Sequence, residues 1–238
     1  MDVAIIGKGV VGKATAIGLR DEVSIRYHDP DLGCSTDYEM ADVVFVCVPT
    51  NLNSTTEELD TSILTSYLEK LRHHRFVYVR STIPYTLCQQ YPNIAVVPEY
   101  LREWCWQSDA ENPAINLCGG NTDQLRRLEM ITNRYYKHTT PQNAALSKMA
   151  TNSFLATKVH FYNILYTHCR QHNLPFSQIR DCMELDERLG NSHSTIPGAD
   201  GRRGFGGKCL PKDLTAFATL TGNDVLKQIL DENEKNRT

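Results

Sequence analysis

The sequence predicts an α/β fold: a doubly wound, Rossmann-type parallel sheet followed by a helical domain with one long central helix. Three observations carry this expectation. Six short apolar, β-branched runs alternate with helical patterns before residue 120. A G-x-G-x-x-G turn follows the first of those runs. After Pro141, a stretch without a breaker continues to Asn173.

The strands are read at 2–7, 23–29, 43–49, 76–80, 94–98 and 115–119, all set parallel. Patterns such as "VVGKATAIGLR" and "TSILTSYLEKLRHH" supply crossover helices for both faces of the sheet. The long helix, 141–173, is apolar over much of its surface and is expected to pack in a bundle or across a dimer axis. A second helix follows at about 176–189, then a polar Gly/Ser/Pro stretch at 190–207. Two short helical segments close the chain, and the tail "DENEKNRT" is expected to fray. The expected division is a dinucleotide-binding domain over 1–138 and a helical substrate and dimerisation domain over 139–238.

With 238 residues, 41% hydrophobic and 22% charged, the chain can bury an ordinary globular core. Its net charge of −3 gives no footprint for nucleic acid or for a membrane surface. No apolar run approaches the length of a spanning helix, and the chain opens on a strand rather than a signal peptide. The eight cysteines form no Cys-x-x-Cys pair, so no metal site is expected. Unpaired thiols in a reducing cytoplasm are the expectation, several of them acting as small hydrophobes inside strands.

In "IIGKGVVGKA", Gly7, Gly9 and Gly12 lie between strand and helix, with Val10 and Val11 in the turn. The first glycine permits the turn, the second lets backbone approach a pyrophosphate, and the third seats helix on strand. Asp29 closes the second strand, 17 residues after Gly12, where an acid holds a ribose hydroxyl. Asp29 and Asp31 would repel a 2′-phosphate, which favours NAD over NADP, although Arg26 lies nearby.

"GRRGFGGKCLPKD", 201–213, sets Cys209 between Lys208 and Lys212 at the mouth of a helix whose first position suits Pro211. Helix dipole and ammonium charge both favour a thiolate, lowering a pKa of about 8.5 toward the ~3.5–7.5 of activated cysteines. The bland alternative is a buried cysteine at a helix entry. Lys148 and Asn152 share one face of the long helix among apolar and small neighbours. Such a lysine either snorkels to solvent or offers its charge, beside the asparagine, to a developing oxyanion. Thr82, Glu99 and Glu103 follow the fourth and fifth strands, at the sheet edge where ligands bind, although each acid alone reads as an ordinary solvated residue.

Taken in order, "GKGVVG", Asp29, "VCVPT", "STIP", "PEYLRE", "KMATN" and "GFGGKCLPKD" make the chain resemble the UDP-glucose/GDP-mannose dehydrogenase family over nearly its whole length. The resemblance implies NAD-dependent, four-electron oxidation of a nucleotide sugar's primary alcohol to a carboxylate. It implies Cys209 as nucleophile, Lys148 and Asn152 as oxyanion donors, and Asp213 ordering Lys148 or the hydrolytic water. Glu103 and Thr82 would serve in water positioning and proton transfer. Glu99, Tyr100, Leu101, Arg102 and Gly206 would line the sugar site, and Val48, Pro49, Thr50, Thr82, Glu103 and Lys212 would contact the cofactor.

Such chains usually continue into a further nucleotide-binding domain, so a partner chain would complete the site or the substrate would be smaller. Arg202 and Arg203 either grip phosphate or form a solvated loop, and Trp104, Cys105 and Trp106 are expected to pack in the core. A homodimer through the long helix is expected. Two other readings stand beside this one: a two-electron hydroxyacid-type dehydrogenase, which needs no Cys209, and a non-catalytic NAD- or sugar-nucleotide-binding subunit.

Overall fold

In the computed structural model, which describes Met1–Arg237, the chain divides into two compact units. The first holds residues 1–53 and 59–148, the second 54–58 and the chain from 149 onward.

The first unit is built on strands β1 (Asp2–Ile6), β2 (Ser24–His28), β3 (Val43–Val46), β4 (Val77–Val79), β5 (Ile94–Val96), β6 (Leu117–Gly119) and β7 (Lys137–Thr139). Their spatial order is β2-β1-β3-β4-β5-β6-β7. The chain steps from β1 outward to β2 and returns to β3 on the other side of β1, which places a topological switch point at the carboxyl end of β1. Two details differ from the sequence expectation. β6 meets β5 antiparallel, through the Val96–Gly119 pair, and β7 adds a seventh strand parallel to β6. The segment "KHT" is short and polar, so its strand character comes from pairing with β6 and not from its own pattern.

Alternation along the strands divides the core into two faces. Ala4, Ile6, Val44 and Val46 pack with Leu64 and Leu68 of α2 (Ser62–Lys70) and with Ala144 and Ala145. Val3, Ile5, Val43 and Phe45 pack with Leu128 and Ile131 of α4 (Thr122–Thr132), and Val11 of α1 (Val10–Ile17) leans on the same face. Asn121 and Gln124 form a reciprocal capping box that fixes where α4 starts. Trp104 corrects the expectation of core packing: it is 66% exposed. It occupies a single 3₁₀ turn, Glu103–Cys105, just before α3 (Trp106–Glu111). Arg102 and Cys105 both bond Asp109, and successive residues of such a turn diverge by about 120°, which leaves Trp104 facing out.

The long helix α5 spans Pro141–Gln171 as one element, its first two turns counted with the first unit. The second unit contains the rest of α5 with α6 (Phe176–Met183), α7 (Leu210–Thr221) and α8 (Asp224–Arg237). Ala156, Val159 and Tyr162 of α5, Ile196 and Phe205 of the loop, Leu214 of α7 and Ile229 of α8 form its core. The supposedly frayed tail is helical through Arg237, because Asn233 is buried and bonded to the loop before Cys209. Helix α6 is shorter than expected, ending at Met183.

Candidate functional site

In the first unit the predicted cofactor residues gather at the carboxyl edge of the sheet. Gly7 adopts φ +92°, and a Cβ there would lie 2.5 Å from the carbonyl oxygen of Cys47. A Cβ on Gly12 would collide with the carbonyl of Gly7, so the helix can sit this close to the turn only without a side chain. Gly9, the N-cap of α1, faces open space within 4 Å. The three glycines therefore divide between tight packing, at Gly7 and Gly12, and an open approach, at Gly9.

Asp29 is held at the end of β2, its Oδ2 accepting the backbone N–H of Lys8 at 2.7 Å. Arg26 is engaged elsewhere, its guanidinium donating to Asp2. Ser81, which sequence reasoning passed over, donates to the carbonyl of Val48 at 2.7 Å and so joins the ends of β3 and β4. Thr50 is buried, Thr82 half-buried, and Val10 and Pro49 are exposed.

Lys148 does not snorkel. It follows Ala144 and Ala145 by one turn, so the face that packs on the sheet also carries the lysine inward, and its residue exposure is 5%. Its Nζ lies 3.1 Å from Glu99 Oε1 and 4.9 Å from the centre of the Tyr100 ring. Glu99 also accepts the N–H of Leu101 at 2.9 Å. Burial pushes the Glu99 carboxyl up, but Lys148, the Leu101 N–H and the charge of Arg80 outweigh it, leaving its pKa below the ordinary carboxylate value. Leu101 is half-buried, whereas Arg102 and Glu103 are exposed, and Arg102 is paired with Asp109 at 2.6 Å.

In the second unit Asp213 is wholly buried. Its Oδ2 accepts from Asn152 Nδ2 at 2.6 Å and its Oδ1 from Lys212 Nζ at 2.7 Å. Cys209 is the N-cap residue of α7, with Leu210 first in the helix and Pro211 one place later than expected. Its carbonyl accepts the N–H of Asp213 at 2.9 Å, closing the first turn. Cys209 is exposed, which sets it apart from Cys47, Cys88 and Cys118. Burial pushes those three thiols up to about 11, 11 and 12.

Arg203 anchors the loop instead of facing solvent, donating to Thr167 and Asn236 at 2.6 Å each. Gly206 is half-buried, and Lys208 and Arg202 are exposed. Two asparagines that sequence reasoning missed, Asn163 and Asn233, bond the loop backbone. Only Asn163, a polar residue inside "HFYNILY", carried any signal in the sequence.

Residues 142–235 match the central domain of the UDP-glucose/GDP-mannose dehydrogenase family. The likeness to that family is carried by this segment. A UDP-glucose 6-dehydrogenase of Campylobacter jejuni is 27% identical over 220 residues, covering 83% of this chain and 54% of that protein. The chain thus spans about half the length of the curated relatives it matches.

Among solved structures, a UDP-glucose dehydrogenase from Pyrobaculum islandicum superimposes with a TM-score of 0.79 at 21% identity, over 98% of this chain and 68% of that one. A 3-hydroxyisobutyrate dehydrogenase of Mycobacterium tuberculosis gives 0.74 at 16% identity, over 98% of this chain and 92% of that one. At such identities both likenesses speak for the fold alone.

The buried Glu99–Lys148 pair makes a checkable prediction. A folded pKa below the unfolded one contributes stability above the unfolded value and loses it as pH falls through the folded value. Glu99→Gln is expected to cost about 3–5 kcal/mol near neutrality, as for one partner removed from a buried pair. The gap from wild type should close as pH falls through the lowered Glu99 pKa. Urea midpoints of both proteins across pH check it, and a gap that stays constant into acid contradicts the pairing.

Proposed function

We propose that the chain takes part in NAD-dependent oxidation of a nucleotide sugar's primary alcohol to the carboxylate, with Cys209 as the covalent nucleophile. The observation that carries this reading is the exposed thiol of Cys209 at the N-cap of α7, in a chain where Cys47, Cys88, Cys118 and Cys169 are buried. An alcohol-to-ketone oxidation has no use for such a thiol. An aldehyde does, because it has no alkoxide from which a second hydride can leave until a nucleophile adds to it.

The dinucleotide fits the glycine turn as built. Gly9 leaves open space at the N-terminus of α1, where N–H groups face a pyrophosphate, and Asp29 sits where a ribose hydroxyl would be met. Arg26, bound to Asp2, is occupied away from any 2′-phosphate, which supports NAD. Val10, Val11, Val48, Pro49, Thr50, Thr82 and Lys212 are assigned to cofactor contact. When bound, the cofactor supplies the hydride acceptor for both oxidations.

The chain's own residues do the rest. The Cys209 thiolate adds to the aldehyde carbon, and the new C–S bond leaves the negative charge on oxygen. Lys148 and Asn152 donate to that oxygen. Once the thiohemiacetal is oxidised to a thioester, water adds to the carbonyl and the C–S bond breaks, returning the thiolate and releasing the carboxylate. Asp213 orders Asn152 and Lys212 through its two oxygens, while Glu103 and Thr82 are assigned to water positioning and proton transfer. Glu99, Tyr100, Leu101, Arg102 and Gly206 are assigned to the sugar. A protein of the cytoplasm is the compartment in which such thiols stay reduced.

We further assign the exposed face of α5 to a second copy of this chain. Phe154, Phe161 and Ile164 are 69%, 53% and 56% exposed and follow one another at the seven- and three-residue steps of a helix-pairing seam. Phe161→Glu is expected to shift a dimer to monomer in sedimentation velocity, and an unchanged sedimentation coefficient overturns that face as the contact.

The activity is tested by incubating protein and NAD+ with a panel of UDP-, GDP- and simpler sugars while following absorbance and carboxylate. Two NADH for each carboxylate are expected from the change in oxidation state. One NADH with a carbonyl product would establish hydroxyacid-type chemistry instead, and NAD+ binding without turnover across the panel would leave a binding subunit. Cys209→Ala is expected to stop carboxylate formation while leaving NAD+ affinity within about twofold, since the thiol is assigned to the substrate and not the cofactor.

A further inference from the structure

The glycine loop that delivers Cys209 is held from behind by the last two turns of α8. Asn233 Oδ1 accepts the N–H of Phe205 at 2.7 Å, and its Nδ2 donates to the carbonyl of the same residue at 3.0 Å. One buried amide therefore satisfies both backbone groups of a residue four positions before the thiol. On the other side of the loop, Asn163 Oδ1 accepts the N–H of Gly204 at 3.0 Å, while its Nδ2 donates to Val159 within α5.

At 204 a glycine is needed for this closeness. Gly204 has φ +71°, and a Cβ there would collide with Asn233 Oδ1. A Cβ on Gly206 would come within 2.5 Å of the Arg237 guanidinium, itself bonded to Asp200 at 2.7 Å. Phe205, whose backbone is gripped in this way, buries its ring in the core of the unit with Leu214 of α7 and Ile229 of α8. Following the thiol, Asp213 and Asn152 fix the first turn of α7. Cys209 thus lies between a clamp on each side, and the clamp before it is an amide on α8.

We propose that Asn233 is a positioning residue for Cys209: by bonding both backbone groups of Phe205 it sets the loop from which the thiol is presented to substrate. The catalytic consequence rests on the function proposed above, but the effect on the thiol does not. A side-chain amide is suited to the task because it donates and accepts at fixed separation, matching one residue's N–H and C=O. Leucine has the same branched shape, though bulkier, and can do neither. Aspartate keeps the acceptor for Phe205 N–H and loses the donor.

The test labels the full chain with iodoacetamide at one pH and quantifies each cysteine peptide by mass spectrometry. Exposed Cys182 serves as internal reference, buried Cys169 reports folding of the second unit, and the core thiols Cys47, Cys88 and Cys118 report that of the first. Asn233→Leu is expected to change the Cys209-to-Cys182 labelling ratio by about fivefold or more, the factor that one net hydrogen bond corresponds to, with the buried thiols unlabelled. Asn233→Asp should return the ratio part of the way to wild type. In turnover, kcat for carboxylate should fall while the KM for NAD+ stays within about twofold, as for a group acting on the chemical step alone.

An unchanged ratio in folded Asn233→Leu overturns the proposal. Should that variant label its buried thiols, Asn233→Asp decides: an altered ratio supports the role, an unaltered one overturns it. If no sugar drives NADH formation, the reading of the activity fails while the labelling ratio still decides the part assigned to Asn233.

Discussion

A carboxylate with no contact with water anchors the helical unit. Asp213 has donors on both oxygens, Asn152 from α5 and Lys212 from its own helix. Burying such a charge without partners costs several kcal/mol, so the two helices are committed to the geometry in which both bonds form. The backbone N–H of Asp213 also closes the first turn of α7 on the carbonyl of Cys209. The thiol's place is therefore set by a chain of bonds that begins at a buried acid, while the thiol itself stays exposed.

The first unit uses charge in a similar way. Lys148 is carried inward by the alanines one turn before it, and Glu99, held by Leu101 N–H, neutralises it. A buried ammonium that is balanced but not consumed by its partner retains donors for a further oxygen. At the other strands of the same edge, Gly7 and Gly12 bring turn and helix into contact that no side chain would tolerate, and Gly9 keeps its surface clear. Packing constraints and an open backbone thus alternate within six residues, which is the arrangement a pyrophosphate calls for.

Much of this was legible in the sequence, for physical reasons. Fully buried strands read as apolar β-branched runs, and five of the six expected strands lie together in one parallel array. The glycine spacing and the breaker-free run after Pro141 were equally plain. What was not legible depends on contacts between distant residues. Strand β7 exists because β6 pairs with it, not because of its composition. The tail is helical because Asn233 and Arg237 find partners in a loop some thirty positions earlier. Trp104 faces out because Arg102 before it and Cys105 after it both turn to Asp109. Among the site residues, the neighbours of Lys148 left its course open between solvent and interior, and its pairing with Glu99 was not legible at all.

The account stands on Cys209 forming a bond to substrate. The most direct measurement is rapid acid quench of the protein during turnover with NAD+ and the nucleotide sugar that drives NADH formation, followed by mass analysis of the cysteine peptides, with hydroxylamine added in parallel. The account predicts an acyl adduct on the Cys209 peptide alone and its conversion to the sugar hydroxamate. Carboxylate formed with no adduct on Cys209 and no hydroxamate would contradict it.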